Sequence, residues 1–464
     1  MTGPSVDIGR DLQFFADPQS AFKTIATDYP VATDAIRAIT ASANGKSPFV
    51  MFEDKRGTST ALGIINQKRT AEFSMECYAY VTNRGTLPDW ADMMSSGGWT
   101  AVVSSGAAVT ATGGSTTVIT TGDTTGYSVG DAALFETASG SDQYEIRRIT
   151  NVVTNTSITV SPALLNTPAS GAKIRSGILF KPKDAKDTTP DALTLWACNN
   201  NSQNRLIGAV VGTQNISMGG DEAARMTFSG TARQSNLLGQ ATLETGGPDL
   251  NASDTSFDIS DTAVIPADVS ATKPAYFKVD DEVMKVTGVS GDTITVATRQ
   301  SYLSGGVAAT HADGSLFTPY VPTGTYAGTP IPATSGQLII AGFPFQVGTI
   351  SIDIDQGIIY RENVHGDEYV VDGYVGGQRS VTATLDGWSF FDSTMSAALG
   401  ARERVAETIH AQQGMAEGGI LAVEMPTFQF EQPDLDRGGD EVTVSLTGQA
   451  RGTAAETEIY VMVG

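Results

Sequence analysis

Between Glu72 and Val81 the chain alternates strictly, with Phe73, Met75, Cys77, Ala79 and Val81 on one side and Ser74, Glu76, Tyr78 and Tyr80 on the other. A two-residue period of this kind predicts a strand with one wholly apolar face, and the two tyrosines make its second face amphipathic and half covered. The pattern returns late in the chain. Arg69-Thr70-Ala71-Glu72-Phe73-Ser74-Met75-Glu76 is echoed by Arg379-Ser380-Val381-Thr382-Ala383-Thr384-Leu385-Asp386. Gly219-Gly220-Asp221-Glu222 followed by Thr227-Phe228-Ser229-Gly230 is echoed, in the same order, by Gly438-Gly439-Asp440-Glu441 followed by Ser445-Leu446-Thr447-Gly448. Two strand landmarks repeated in one order predict two copies of one fold, filling two equivalent positions in something symmetric.

The landmarks stand about 92 residues farther apart in the first copy, which predicts an insertion there. After Gly98-Trp99 the chain turns Thr/Ser/Val/Gly-rich, and from Ser115 to about Ile174 it runs as short alternating strands between Gly and Asn/Asp turns. This stretch has a relative of its own. Glu145-Ile146-Arg147-Arg148-Ile149-Thr150 matches Glu282-Val283-Met284-Lys285-Val286-Thr287. The predicted organisation is therefore a discontinuous first unit (1–100 and 176–243), an inserted β module (101–175), a second β module (244–318) and a second unit (319–464).

Each unit is expected to carry a flanking helix. In the first, Thr86 serves as N-cap with Pro88 in the first turn, Asp89 and Asp92 near the positive end, and Gly97-Gly98 as the stop. In the second, Asp392-Ser393 caps a longer helix through Met395, Ala398, Val405 and Ile409 up to Gly414. Returning strands follow, Leu206–Val211 and Gln214–Met218 in the first unit, Ile420–Val423 and Thr427–Phe430 in the second. Residues 31–68 read as a polar segment around Pro48-Phe49-Val50-Met51-Phe52, either packed on a neighbouring subunit or a surface loop.

Composition narrows the class. In 464 residues, 50 Gly and only 17% charged residues describe a mainly β, multi-domain protein with many turns. A net charge of −22 excludes counterion release onto nucleic acid, which needs clustered Lys and Arg. The carboxylates either keep the protein soluble or form a wall that repels phosphates. The N-terminal residues lack a basic region followed by an apolar run and no stretch matches a membrane span, so neither export by a signal peptide nor membrane insertion is expected. Cys77 and Cys198 are read as buried free thiols.

Candidate chemistry is sparse. His311 and His365 sit in turn sequences and His410 near the end of the expected second helix; none stands near cysteine or another histidine at ligand spacing, so no metal is expected. Asp353-Ile354-Asp355-Gln356-Gly357 fits a strand ending at Gly357 better than a calcium loop, lacking the distal bidentate Glu. No nucleophile elbow, phosphate loop or dinucleotide fingerprint occurs, and no catalytic residue or cofactor is expected. A structural role leads.

The run Arg69 to Tyr80 leading into Gly85-Thr86-Leu87-Pro88-Asp89, together with the hairpin from Gly220-Asp221-Glu222 to Gly230-Thr231-Ala232, resembles the tail tube proteins of long-tailed bacteriophages. The segment Phe277 to Thr287 and Thr310 to Gly314 resembles small β domains of phage tail and baseplate proteins. The resemblance implies two tandem β-sandwich or barrel domains, each with a flanking helix, that polymerise as stacked rings around a DNA channel. It implies a homo-oligomer, either a trimer closing a pseudo-six-fold ring or a hexamer, with DNA passing through the lumen unbound. Tape measure, tail terminator and baseplate hub proteins would be its partners in the virion, after synthesis in the host cytoplasm. On this reading Phe73, Met75, Tyr78, Phe228, Leu385 and Leu446 are expected at subunit contacts, and Asp221, Glu222, Asp440 and Glu441 at ring-to-ring contacts. Competing readings are a distal tail or hub protein forming one ring, a surface- or carbohydrate-binding β protein, and a β-scaffold hydrolase.

Overall fold

The computed structural model describes residues 12–20, 22, 25, 29–51, 64–183, 191–244, 246, 249–297, 299, 308–362, 364–388, 400–432, 434–436, 443–454 and 456–464. Strands dominate and the fold is mainly β. Its centre is built from β1 (Ala38–Lys46), β2 (Thr70–Tyr78), β3 (Gln203–Gly219), β4 (Arg225–Ala232), β5 (Val347–Asp355), β6 (Ser380–Trp388), β7 (Leu421–Phe430), β8 (Asp434–Asp436) and β9 (Thr443–Ala450). These pair antiparallel in the order β1–β2–β4–β3–β5–β6–β9, and β7 then β8 run along the far side of β9.

The repeated segments are hydrogen-bonded partners in both halves, and in the same register. Ser74 stands opposite Ser229 as Thr384 stands opposite Thr447; Met75 opposite Phe228 as Leu385 opposite Leu446; Phe73 opposite Gly230 as Ala383 opposite Gly448. The two glycines share a reason. A Cβ would lie 1.9 Å from the Val210 carbonyl oxygen at Gly230 and 2.2 Å from that of Gln429 at Gly448, so neither position admits a side chain.

A second layer covers the apolar face of this sheet. In the first half its order is Gln13–Pro18, Leu193–Cys198, the first part of β3, then Gln234–Leu238. In the second half it is Gly336–Ile340, Glu407–Gln413, the first part of β7, then Tyr460–Val463. The layers enclose one continuous core containing Phe73, Met75, Ile216, Phe228, Ile352, Leu385, Phe428 and Leu446. Each such large apolar side chain, once fully buried, contributes roughly 1.5–3 kcal/mol. Cys77 and Cys198 are free and buried, and burial raises both thiols, Cys198 to about 12.

Two closed six-stranded barrels accompany the sandwiches. One runs from Val109 to Ser176 and the other from Ala241 to Pro319; numbered along the chain, both have strand order 1-2-5-4-3-6. The first packs on the second sandwich through Leu134, Tyr144, Ile146, Ile420 and Met462. The second meets the first sandwich where Arg205 donates to the Pro274 carbonyl (3.3 Å) and Gln203 to that of Tyr320 (3.1 Å).

Four expectations need correction. The first helix, α1, covers only Ala91–Ser96, and Trp90 rather than Thr86 is its N-cap; Trp90 Nε1 donates to the Tyr80 carbonyl (3.1 Å), which fixes the entry turn later than Pro88 implies. Residues 389–399, where the second helix was expected to start, lie outside the described residues, while Glu407–Gln413 is a strand and not that helix's end. It is paired on both edges and buried on both faces, so no alternation marks it. The segment 31–68 is no loop where described: β1 pairs with β2 along its length, then Phe49–Met51 and Ile64–Asn66 continue as a two-stranded ribbon. Finally Trp99–Val103 and Ile178–Pro182, assigned above to the first unit and the insertion, join the second outer layer through Tyr460–Val463. They carry the barrel to the sandwich it packs on.

Candidate interface edges and the polar sheet face

The eight-column central sheet has two different kinds of joint. Within each half, strands are linked by the repeated partners; between halves, β3 meets β5, with Asn215 opposite Asp353, Ile216 opposite Ile352 and Ser217 opposite Ser351. Asn215 Nδ2 fastens this seam by donating to Asp353 Oδ1 (2.7 Å) and Ser351 Oγ (2.9 Å). At the two ends of the sheet, β1 is paired only with β2, and β8 only with β9, among the described residues. An unpaired strand edge is a template for another strand.

The face of this sheet turned away from the core is polar from end to end. Ser42 and Asn44 on β1, Glu72, Ser74 and Glu76 on β2, Thr227 and Ser229 on β4, and Asn215 and Ser217 on β3 form its first half. Ser351, Asp353 and Asp355 on β5, Thr382, Thr384 and Asp386 on β6, and Ser445, Thr447 and Gln449 on β9 form the second. On the strands named, the described side chains of this face include five carboxylates, Glu72, Glu76, Asp353, Asp355 and Asp386, and the cations Lys46 and Arg225. Both cations are already engaged: Lys46 with Glu72 (2.6 Å) and Arg225 with Glu76 (2.8 Å). What remains on that face is hydroxyl, amide and carboxylate, a combination that offers phosphate no cation to pair with.

The residues expected at contacts are distributed unevenly. Phe73, Met75, Phe228, Leu385 and Leu446 are buried inside the sandwiches, the apolar face of each strand being covered by its own second layer. Tyr78 is half-buried, 6.0 Å from the Tyr80 ring and with the Arg225 guanidinium 5.6 Å from its centroid. Asp221 and Glu222 are exposed in the turn after Gly219 and Gly220, whose φ of +92° and +66° need glycine. Glu222 pairs with Arg225. Asp440 and Glu441 lie outside the described residues. The edges β1 and β8 were missed, although the internal repeat already contains the signal: whatever pairs with the first strand of the second half has a counterpart for the first strand of the first.

Two histidines also differ from expectation. His410 is buried in a strand, its Nε2 2.9 Å from Arg147 Nη1; burial and then the Arg147 charge hold it well below its usual value, so it is neutral. His311 is buried between Asp280 (2.8 Å) and Glu282 (2.9 Å). His365 is exposed in a turn, as expected. Asp353 and Asp355 lie on a strand, and Asp355 Oδ1 accepts from the Gly357 N–H (2.8 Å). Among the described residues no cluster of His, Cys, Asp and Glu is arranged to hold a metal, and no helix is long and apolar enough to cross a membrane. No protein-family model matches the chain, and neither does any curated protein sequence.

Proposed function

We propose that this chain is a structural virion subunit that assembles into stacked rings as the tail tube of a long-tailed phage, three chains supplying six sandwich units to each pseudo-six-fold ring. The observation that carries the reading is the β3·β5 seam. It joins the last strand of one unit to the first strand of the next in sheet order, and the sheet ends in strands of the same two kinds, β8 and β1, each with one partner among the described residues. A head-to-tail joint that repeats at every unit closes into a ring when its rotation allows. The sheet would then become the wall of a bore, its Ser/Thr and carboxylate face lining the channel and letting DNA slide through unbound.

The ribbon Phe49–Met51 with Ile64–Asn66 supports stacking. Phe49 and Ile64 are 56% and 55% exposed, and an apolar arm of this kind fits a clasp on an adjacent subunit or ring. Tape measure, terminator and hub proteins would meet the tube at its ends, and the chain would perform no catalysis. Negative-stain electron microscopy of purified protein tests the proposal. Long hollow tubes are the expected result; a single stable ring would transfer the chain to a distal hub role, and a persistent monomer would end the proposal.

A further inference from the structure

Resting on the ring reading, we infer that the joint between chains has a defined register, marked by an amide opposite a carboxylate. The matching registers of the two halves fix which residues correspond. Ser42, Ala43 and Asn44 stand opposite Ser74, Phe73 and Glu72 as Ser351, Ile352 and Asp353 stand opposite Thr384, Ala383 and Thr382. Asn215, Ile216 and Ser217 stand opposite Thr227, Met226 and Arg225 as Asp434, Leu435 and Asp436 stand opposite Ser445, Val444 and Thr443.

Carrying the internal seam over to the free edges then gives the inter-chain pairing. Asp434 of one chain meets Asn44 of the next, Leu435 meets Ala43, and Asp436 meets Ser42. In the seam the amide is on the outgoing strand and the carboxylate on the incoming one, Asn215 opposite Asp353. Between chains the two are reversed. Every correct joint therefore sets an amide opposite a carboxylate. Like charges directly across a strand pair repel, and specificity comes from such penalties as much as from the favoured pair. Asn44 is exposed on its edge, and the neighbouring Ala43 carbonyl accepts from the Asn204 amide, leaving a second lone pair for an incoming strand.

Assembly of the full chain, measured by sedimentation and electron microscopy, tests the inference through charge exchange. N44D sets two carboxylates across each joint and is expected to lower the assembled fraction about tenfold or more, the penalty recurring at every joint. The double variant N44D/D434N restores an amide opposite a carboxylate and is expected to regain assembly. Circular dichroism melts of each variant keep misfolding apart from lost assembly. Independently, N44C/D434C is expected to form an inter-chain cross-link in assembled material with a short bifunctional thiol reagent, which spans the roughly 4.5–5.5 Å between Cβ atoms directly opposite. Rings or tubes that form equally well with N44D, or that yield no cross-link between positions 44 and 434, would overturn the register while leaving the proposed function standing. A wild-type chain that never assembles would overturn both.

Discussion

The two barrels share a strand order and a buried glutamate near the start of the fourth strand, yet they use that charge differently. In the second barrel Glu282 is satisfied from within: Arg299 donates to both oxygens (2.8 and 2.8 Å), the Ala309 N–H to Oε2 (2.9 Å), and His311 Nε2 lies 2.9 Å away. In the first, Glu145 accepts from Arg147 (2.7 Å) and the Leu165 N–H (2.9 Å), and the network then leaves the barrel. Arg147 reaches His410, Arg148 pairs with the fully buried Glu424 (2.8 Å), and Gln412 bridges to the Tyr144 carbonyl (2.9 Å). The same motif thus closes one barrel on itself and fastens the other to a sandwich. A buried charge marks wherever its partners converge, inside a module or across a boundary.

Breaking the closed network should have the largest effect. Glu282→Ala strands the Arg299 guanidinium and is expected to cost about 3–5 kcal/mol, seen in calorimetry as an early transition belonging to the second barrel. A single unchanged transition would contradict the comparison. Arg148→Ala should cost about 2 kcal/mol, less because Arg148 is partly exposed, though it leaves Glu424 buried without its main partner. Hydrogen exchange should show the loss at Tyr144–Val153 and Leu421–Phe430, with the second barrel unaffected.

Acid separates the two networks by their titrations. Burial and the Arg147 charge hold His410 down, so below about pH 6.5 the unfolded chain takes up a proton that the folded one refuses. Stability falls there with pH, by about 1.4 kcal/mol per unit. Glu424, pushed up by burial against the pull of Arg148, opposes this trend above about pH 4.5. His410→Gln isolates the histidine and should flatten the slope between about pH 6.5 and 5.5. Burial also pushes Glu282 up, but the Arg299, Ala309 and His311 hydrogen bonds prevail and hold it at about 2. Its contribution is complete above the unfolded value of about 4.5 and is lost as pH falls through about 2. Fluorescence and hydrogen exchange should therefore find the first barrel's contact loosening at milder acidity than the second barrel's interior. The smallest effect is expected for Lys46→Ala, whose pair with Glu72 is solvent-exposed and contributes less than about 0.5 kcal/mol to a urea-melting curve.

Much of the architecture was legible because strict alternation betrays a one-sided strand. Phe73, Met75 and Cys77 against Ser74 and Glu76 announce β2, and the echo at Val381, Ala383 and Leu385 announces β6. β1 was illegible for the same physical reason inverted: Ala41, Ala43 and Gly45 against Ser42 and Asn44 provide little contrast in hydropathy. Glu407–Gln413 was misread since His410 and Gln412 are buried polar residues, their partners distant in sequence. The apolar site residues were real strand landmarks but belonged to the core. Edges are defined by which partner is missing, a property of pairing that no local pattern encodes.

One feature of the backbone bears on force. β3 is a single strand of 17 residues, roughly 56 Å at ~3.3 Å per residue, whose first part belongs to the outer layer and whose last part forms the seam. A pull on the seam at Asn215 is therefore carried by covalent bonds into the outer layer, and through Arg205 and Gln203 onto the second barrel. Inner and outer layers cannot shear past one another there without breaking hydrogen bonds on both sides of one continuous cable.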